Sequence, residues 1–210
     1  MQYKGSVKLM WVVFASSFKK QLRVVFNMNE KDAKELMGKA KEKYKEIIGE
    51  IPEFEKGDRF KMNIISCAML CSIVLNMKER PTVHDLTKYY ADSMMTPLMK
   101  LVCKKKGRLK FTKKDIEGMQ ATAKLRAADR NPYSWNMDFL PYSDGSGYES
   151  RFYKCGICVL MKKYGLFDLT EAMCKLDYTT NEASGTSEFE RKYTLASGGP
   201  YCDCGYKKKG

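Results

Sequence analysis

Residues 148–210 read YESRFYKCGICVLMKKYGLFDLTEAMCKLDYTTNEASGTSEFERKYTLASGGPYCDCGYKKKG, and their alternation of periods decides the fold. YESRFYKC (148–155) alternates apolar and polar residues and predicts a strand. ICVLMKKYG (157–165) changes to a helical period and ends at Gly165. A second short helix is expected from about Asp168 to Leu176, and residues 181–187 read as a polar loop. SEFERKYTL (187–195) predicts a strand with Phe189, Arg191, Tyr193 and Leu195 on one face. Gly198 and Gly199 make a turn, and YCDCGYK (201–207) predicts the last strand.

Working back toward the N-terminus, SWNMDFL (134–140) places Trp135, Met137 and Phe139 on one face of a further strand, with turn formers from Pro141 to Gly147 after it. Three strand junctions are local, which favours an antiparallel sheet with helices against one face. Before Asn131-Pro132 the pattern is helical throughout. The apolar stripe over 7–26, the 3.6-residue period from Ala33 to Ile48 and the all-round apolar run after Asp58 predict three helices. Further helices are expected after Thr82, from Pro97 to about Lys104, and from Thr112 to about Ala128. The expected class is α+β: an N-terminal helical region packed with a C-terminal antiparallel sheet of about four strands and two short helices. Residues 1–130 form the basic helical region and 131–210 the Cys-rich α+β region, together one compact domain.

Composition sets limits on function. The net charge of +13 lies wholly in residues 1–130, where 28 Lys and Arg face 15 Asp and Glu; residues 131–210 are balanced at ten each. Such asymmetry fits nucleic-acid or anionic-surface contact, or Lys-rich helix faces in solvent. Lys104-Lys105-Lys106 with Arg108 and Lys110 is the densest cluster, and no stacking aromatics interleave with it. Solvated faces are therefore the expectation, with neither a nucleic-acid nor a membrane partner. No apolar run reaches the length of a bilayer span, and the N-terminal stretch lacks a signal-peptide cleavage pattern, so a cytoplasmic protein is expected. The one histidine, His84, excludes chemistry that needs a His pair.

Eight cysteines in such a protein suggest reduced thiols, a metal site or catalysis before disulfides. Cys67 and Cys71 share a helical face and read as core thiols. Cys155-x-x-Cys158 with Cys202-x-Cys204 is a possible four-thiolate zinc set, although two thiols spaced by one residue on a strand are poorly placed for it. Cys174 and Asp177, three apart across a helix end, can face one another as nucleophile and base. Arg191 shares its strand face with apolar residues, so it needs either an internal carboxylate or the carboxylate of a ligand.

Cys155, Gly165, Cys174-x-x-Asp177, Phe189-x-Arg191-x-x-Thr194, Gly198-Gly199 and Cys202-Asp203, with Trp135 in the preceding strand, resemble the C-terminal pattern of the L-2-amino-thiazoline-4-carboxylic acid hydrolases. The resemblance covers about residues 131–206; Cys204 stands where that family has an aromatic residue, and Cys158 is an additional thiol. It implies a hydrolase opening a small cyclic amidine, such as L-2-amino-thiazoline-4-carboxylate, at a C–N bond. No cofactor is implied. Cys174 or Cys202 would then be the nucleophile or part of its activation, with Asp177 or Asp203 the base. Arg191 would hold the substrate carboxylate, beside Trp135 and Tyr193. The alternative is a non-catalytic module on the same fold that binds a small ligand, or zinc through Cys155, Cys158, Cys202 and Cys204.

Overall fold

Asn29 accepts the amide of Asp32 at 2.8 Å, and Thr82 and Thr96 accept those of Asp85 and Met99. These three side chains cap helix N-termini by satisfying donors that have no partner within the helix. They divide the N-terminal part of a computed structural model that describes residues 1–55, 58–128 and 130–209. Its helices are α1 (Gly5–Val25), α2 (Glu30–Glu50), α3 (Lys61–Val74), α4 (Val83–Met94), α5 (Pro97–Gly107) and α6 (Lys113–Ala128). The strands are β1 (Asn136–Pro141), β2 (Gly147–Lys154), β3 (Ser187–Glu190) and β4 (Cys202–Lys208). Between β2 and β3 come α7 (Gly156–Lys163), a 3-10 turn at Phe167–Leu169, α8 (Thr170–Cys174) and α9 (Leu176–Ser184).

α3 is central because it is apolar on all sides: every residue from Ile64 to Val74 is buried. α2 and α7 pack against it, and α1 packs against α4. Cys67 and Cys71 lie inside this core with their sulfurs 3.9 Å apart, and the Cys71 thiol reaches Met161 Sδ at 3.3 Å. They are core thiols.

The four strands form one antiparallel sheet in the order β1-β2-β4-β3. Register places Tyr148, Ser150 and Phe152 of β2 opposite Tyr206, Cys204 and Cys202 of β4. These residues form the inner face, covered by helices; Tyr148, Ser150, Cys202 and Cys204 are all buried. Glu149, Arg151 and Asp203 alternate onto the outer face.

Two expectations are corrected. Residues 181–184 are not loop but the last turn of α9, which ends at Gly185 in the left-handed conformation with φ +73°. The strand expected over 187–195 stops at Glu190. Beyond it, the Asp203 carboxylate accepts the amides of Lys192 and Tyr193, and Cys202 Sγ accepts that of Leu195 at 3.2 Å. Side chains of β4 thus take the backbone donors that a continuing strand would have offered to the ladder.

Candidate active site

Where β3 ends, Arg191 turns inward. Its Nη1 donates to Asp177 Oδ2 at 2.7 Å, and its Nη2 donates to the carbonyl oxygen of Cys174, also at 2.7 Å. That carbonyl lies at the end of α8, where the helix stops and α9 begins, so it belongs to the acceptors left over at a helix C-terminus. Cys204 Sγ is 3.9 Å from the same Nη1. One guanidinium therefore joins two helices to the sheet. Burial acts against the charge, but the Asp177 carboxylate outweighs it, and Arg191 remains a cation.

The two partners differ in access. Only 4% of the Arg191 side chain is exposed, against 48% of Asp177. Desolvation by surrounding protein raises the pKa of Asp177 in spite of Arg191. The carboxylate is thus packed by protein on the side of Arg191 and open to solvent on the other. Its proton is held more tightly than an ordinary carboxyl's, which suits a group that takes and returns a proton.

Lys110 lies within electrostatic reach of Asp177. Its ammonium stands 3.2 Å from the Tyr206 ring centroid and 3.5 Å from Asn181 Oδ1. Desolvation lowers its pKa to about 8, against the opposing pull of Asp115 and Asp177. The next residue, Phe111, has φ +64°, strained for a non-glycine residue. Asp115 Oδ2 holds it there by accepting the Phe111 amide at 3.0 Å and the Tyr148 hydroxyl at 3.1 Å. This turn aims Lys110 inward while its basic neighbours point out. In the sequence Lys110 is indistinguishable from the cluster around it; no periodic signal marks it.

The thiols here are held neutral. Desolvation raises Cys174 to about 12, with Arg191 opposing, and raises Cys202 and Cys204 as well. Cys155 is raised first by its hydrogen bond with Cys158 and then by burial. Ser150, directly across the ladder from Cys204, is 2% exposed, and its hydroxyl has no hydrogen-bond partner among the described residues. The sequence reading did not single out Ser150 or Lys110.

The structure brings Cys174, Asp177, Arg191, Cys202 and Cys204 to one side of the sheet and separates the other expected site residues from them. Asp203 neighbours Cys202 in β4 but alternates to the outer face, where its carboxylate is occupied by the two loop amides. Tyr193 packs edge-on against Tyr201, whose ring also carries Arg151 at 4.5 Å. Trp135 is 5% exposed and stacked on Phe60 at 5.1 Å, within the helical core. His84 is exposed at the start of α4.

The four-thiolate zinc set does not assemble. Among the described residues, no three His, Cys, Asp or Glu side chains come together to hold a metal. Cys202 and Cys204 are two residues apart on an extended strand, about 6.6 Å of rise. Sulfurs bound to one zinc at about 2.3 Å each must lie closer than that. Cys204 faces Arg191, while Cys155 and Cys158 face each other at the start of α7.

Two grooves lie elsewhere. One of about 550 Å³ is bordered by Phe26, Leu36, Met77 and Pro81, and one of about 610 Å³ runs between α6 and β1. The first also carries Asp32, Glu35, Glu79 and Asp85 with Lys39, Lys78 and Arg80, but neither contains a member of the Asp177–Arg191 cluster.

A family model described as L-2-amino-thiazoline-4-carboxylic acid hydrolase matches residues 62–206, more than two thirds of the chain. No curated protein and no solved structure matches it. The matched span begins inside α3 and so includes the helices α4 to α6 as well as the sheet.

Proposed function

Since this chain belongs to the L-2-amino-thiazoline-4-carboxylic acid hydrolase family, we propose that it hydrolyses a ring C–N bond of a small cyclic amidine bearing a carboxylate, with Asp177 as the proton-transfer group. The observation that supports this most is the solvent-accessible Asp177 carboxylate held by buried Arg191 at 2.7 Å. Water attacks C2 of the protonated amidine and gives a proton to Asp177. Asp177 returns that proton to the ring nitrogen as the C–N bond breaks. The C2 hydroxyl becomes a carbonyl, its proton passing to the released amine, so the net change is the addition of one water. Arg191 fixes Asp177, and Lys110 supplies the positive charge that receives the substrate carboxylate.

Water is the nucleophile in this reading because the Cys174 thiol, pushed to about 12, offers almost no thiolate at neutral pH. Cys174→Ala is therefore expected to keep kcat within about tenfold of the parent. A loss beyond that in single-turnover measurements, with a covalent adduct trapped by mass spectrometry, would transfer the attack to the thiol. The test of the whole reading is incubation of the reduced protein with L-2-amino-thiazoline-4-carboxylate, following loss of the ring chromophore and gain of one water by mass. Absence of turnover at every pH from mildly acidic to mildly basic would remove this substrate from the reading.

Lys110 gives the reading a pH signature. Its charge is lost as pH rises through about 8, so KM for the carboxylate substrate is expected to rise above that pH. Lys110→Met should raise KM about 10- to 100-fold, the worth of one charge-assisted hydrogen bond, and abolish that alkaline limb. The same group sets a stability slope. Between about 8 and the ordinary Lys value of 10.5, the unfolded chain binds more protons than the native one, so stability increases with pH across that window. Chemical denaturation on either side of it checks the sign.

A further inference from the structure

Eight of the 38 Lys and Arg residues and none of the 25 Asp and Glu lie between Ser93 and Lys114. This stretch, α5 and the turns on either side of it, supplies +8 of the net +13. Seven of the eight cations are exposed; only Lys110 turns inward. Among the described residues just one of the seven, Lys113, reaches a carboxylate, Glu117 at 3.9 Å. Elsewhere the helices neutralise themselves, as Lys39 does with Glu35 and Lys88 with Asp92.

Apolar side chains share this surface. α5 buries Cys103 and Gly107. At 100° per residue the opposite face carries Leu98, Leu101, Lys105 and Arg108, flanked by Lys100 and Lys104. Leu98 is 58% exposed and Leu101 64%, and Leu109 beyond the helix end is 59% exposed. Lysines in the last turn complement the helix dipole, which accounts for Lys104, Lys105 and Lys106. It does not account for the leucines, nor for Arg108, Lys113 and Lys114.

We infer that the α5 face is a docking surface for an anionic lipid bilayer, with Leu98, Leu101 and Leu109 entering the headgroup region and the lysines bound to lipid phosphate and carboxylate. The combination of bare leucines with uncompensated cations selects this occupant: surface binding scales with buried apolar area plus attraction to anionic headgroups. A nucleic acid would instead favour stacking aromatics among the cations, and the exposed large apolar residues of this face are all leucine. No helix among the described residues is long and apolar enough to cross a membrane, so the contact is peripheral. This runs against the sequence-based expectation of no membrane contact. It does not depend on the hydrolase reading. α5 packs against α9, which carries Asp177, so docking would set the Asp177–Arg191 pair on the helix layer behind the lipid-facing one.

The test is co-sedimentation of the full chain with vesicles of phosphatidylcholine alone and of phosphatidylcholine with phosphatidylserine. The parent should pellet with the anionic vesicles, release at high salt and ignore the neutral ones. Leu98→Ser with Leu101→Ser should weaken pelleting at least tenfold with an unchanged melting temperature, since both side chains are already exposed. Lys104→Ser with Lys105→Ser should weaken it further, by about fivefold per removed cation. Failure to pellet with anionic vesicles overturns the inference. So does pelleting that the leucine pair does not affect, which would mean charge alone. Tighter binding to a single-stranded or duplex oligonucleotide than to the anionic vesicles would reassign the face to nucleic acid.

Discussion

Asp177→Asn is expected to lower kcat for ring hydrolysis about 10²- to 10⁴-fold, the usual worth of a positioned proton-transfer group. The amide keeps the size of the carboxyl and an oxygen acceptor for Arg191, so the variant should fold and the loss should fall on kcat more than on KM. The pH profile separates a chemical role from a structural one. Desolvation lifts Asp177 above its ordinary value of 3.8, so the acid limb of the parent's activity should be displaced upward from that value. In Asp177→Asn the residual activity should lack that limb. Stability changes in the same window with a known sign. Above 3.8 and below the raised native value, the folded protein binds more protons than the unfolded chain, so the parent loses stability as pH rises. The Asn variant should lack that slope. Residual activity that tracks only the folded fraction, with the acid limb still present, would make Asp177 a partner for Arg191 and nothing more.

Gly156→Ala should destabilise the fold by about 3 kcal/mol or more, near the top of the range for overpacking, lowering the melting temperature by about 6–12 °C. Gly156 is the first residue of α7, where the chain leaves β2 and passes directly over the approach to β1. A Cβ there would lie 1.9 Å from the Tyr133 carbonyl oxygen and 3.1 Å from Trp135 Cζ3. Backbone cannot yield as a flexible side-chain tip can, so either α7 or the Tyr133–Trp135 segment must move. Trp135 is stacked on Phe60, and Phe60 also meets Phe152 edge-on at 5.7 Å. The displacement would therefore spread into the contact between helices and sheet. Gly38→Ala is the control: it lies within α2 with nothing within 4 Å of an added Cβ. That change should stabilise by about 0.5–1 kcal/mol, because glycine in a helix loses more backbone freedom than alanine. Equal melting temperatures for Gly156→Ala and the parent would show that the junction is looser than its geometry implies.

The sequence revealed whatever depends on neighbours along the chain. Asn29, Thr82 and Thr112 announce their helix starts because a cap bonds three residues ahead. Trp135 and Met137, or Cys202 and Cys204, announce a strand because alternation is a local property of extended backbone. The Cys174-x-x-Asp177 and Arg191 pattern was legible in the same way, as a resemblance carried by residue types at fixed spacings. The choice between an internal and a ligand partner for Arg191 was not. Its carboxylate is 14 positions away on another element, and only the packing of α9 against β3 brings the two together.

What the sequence by itself determined is therefore the class: six helices in series, then four antiparallel strands interrupted by short helices, with five of the eight thiols late in the chain. Tertiary structure decided which of those groups meet. It halted β3 at Glu190, because carboxylate and thiol acceptors from β4 captured the next amides. It put Asp203 and Tyr193 on the outer face and Trp135 in the core, since adjacent strand residues point apart and a large ring fills the helix–sheet junction. It also chose Lys110 from a row of lysines, through the strained turn that Asp115 and Tyr148 hold at Phe111. Local periodicity follows from bonds along one chain segment. The Asp177–Arg191 cluster follows from contacts between segments that are distant in sequence, and no local pattern encodes those.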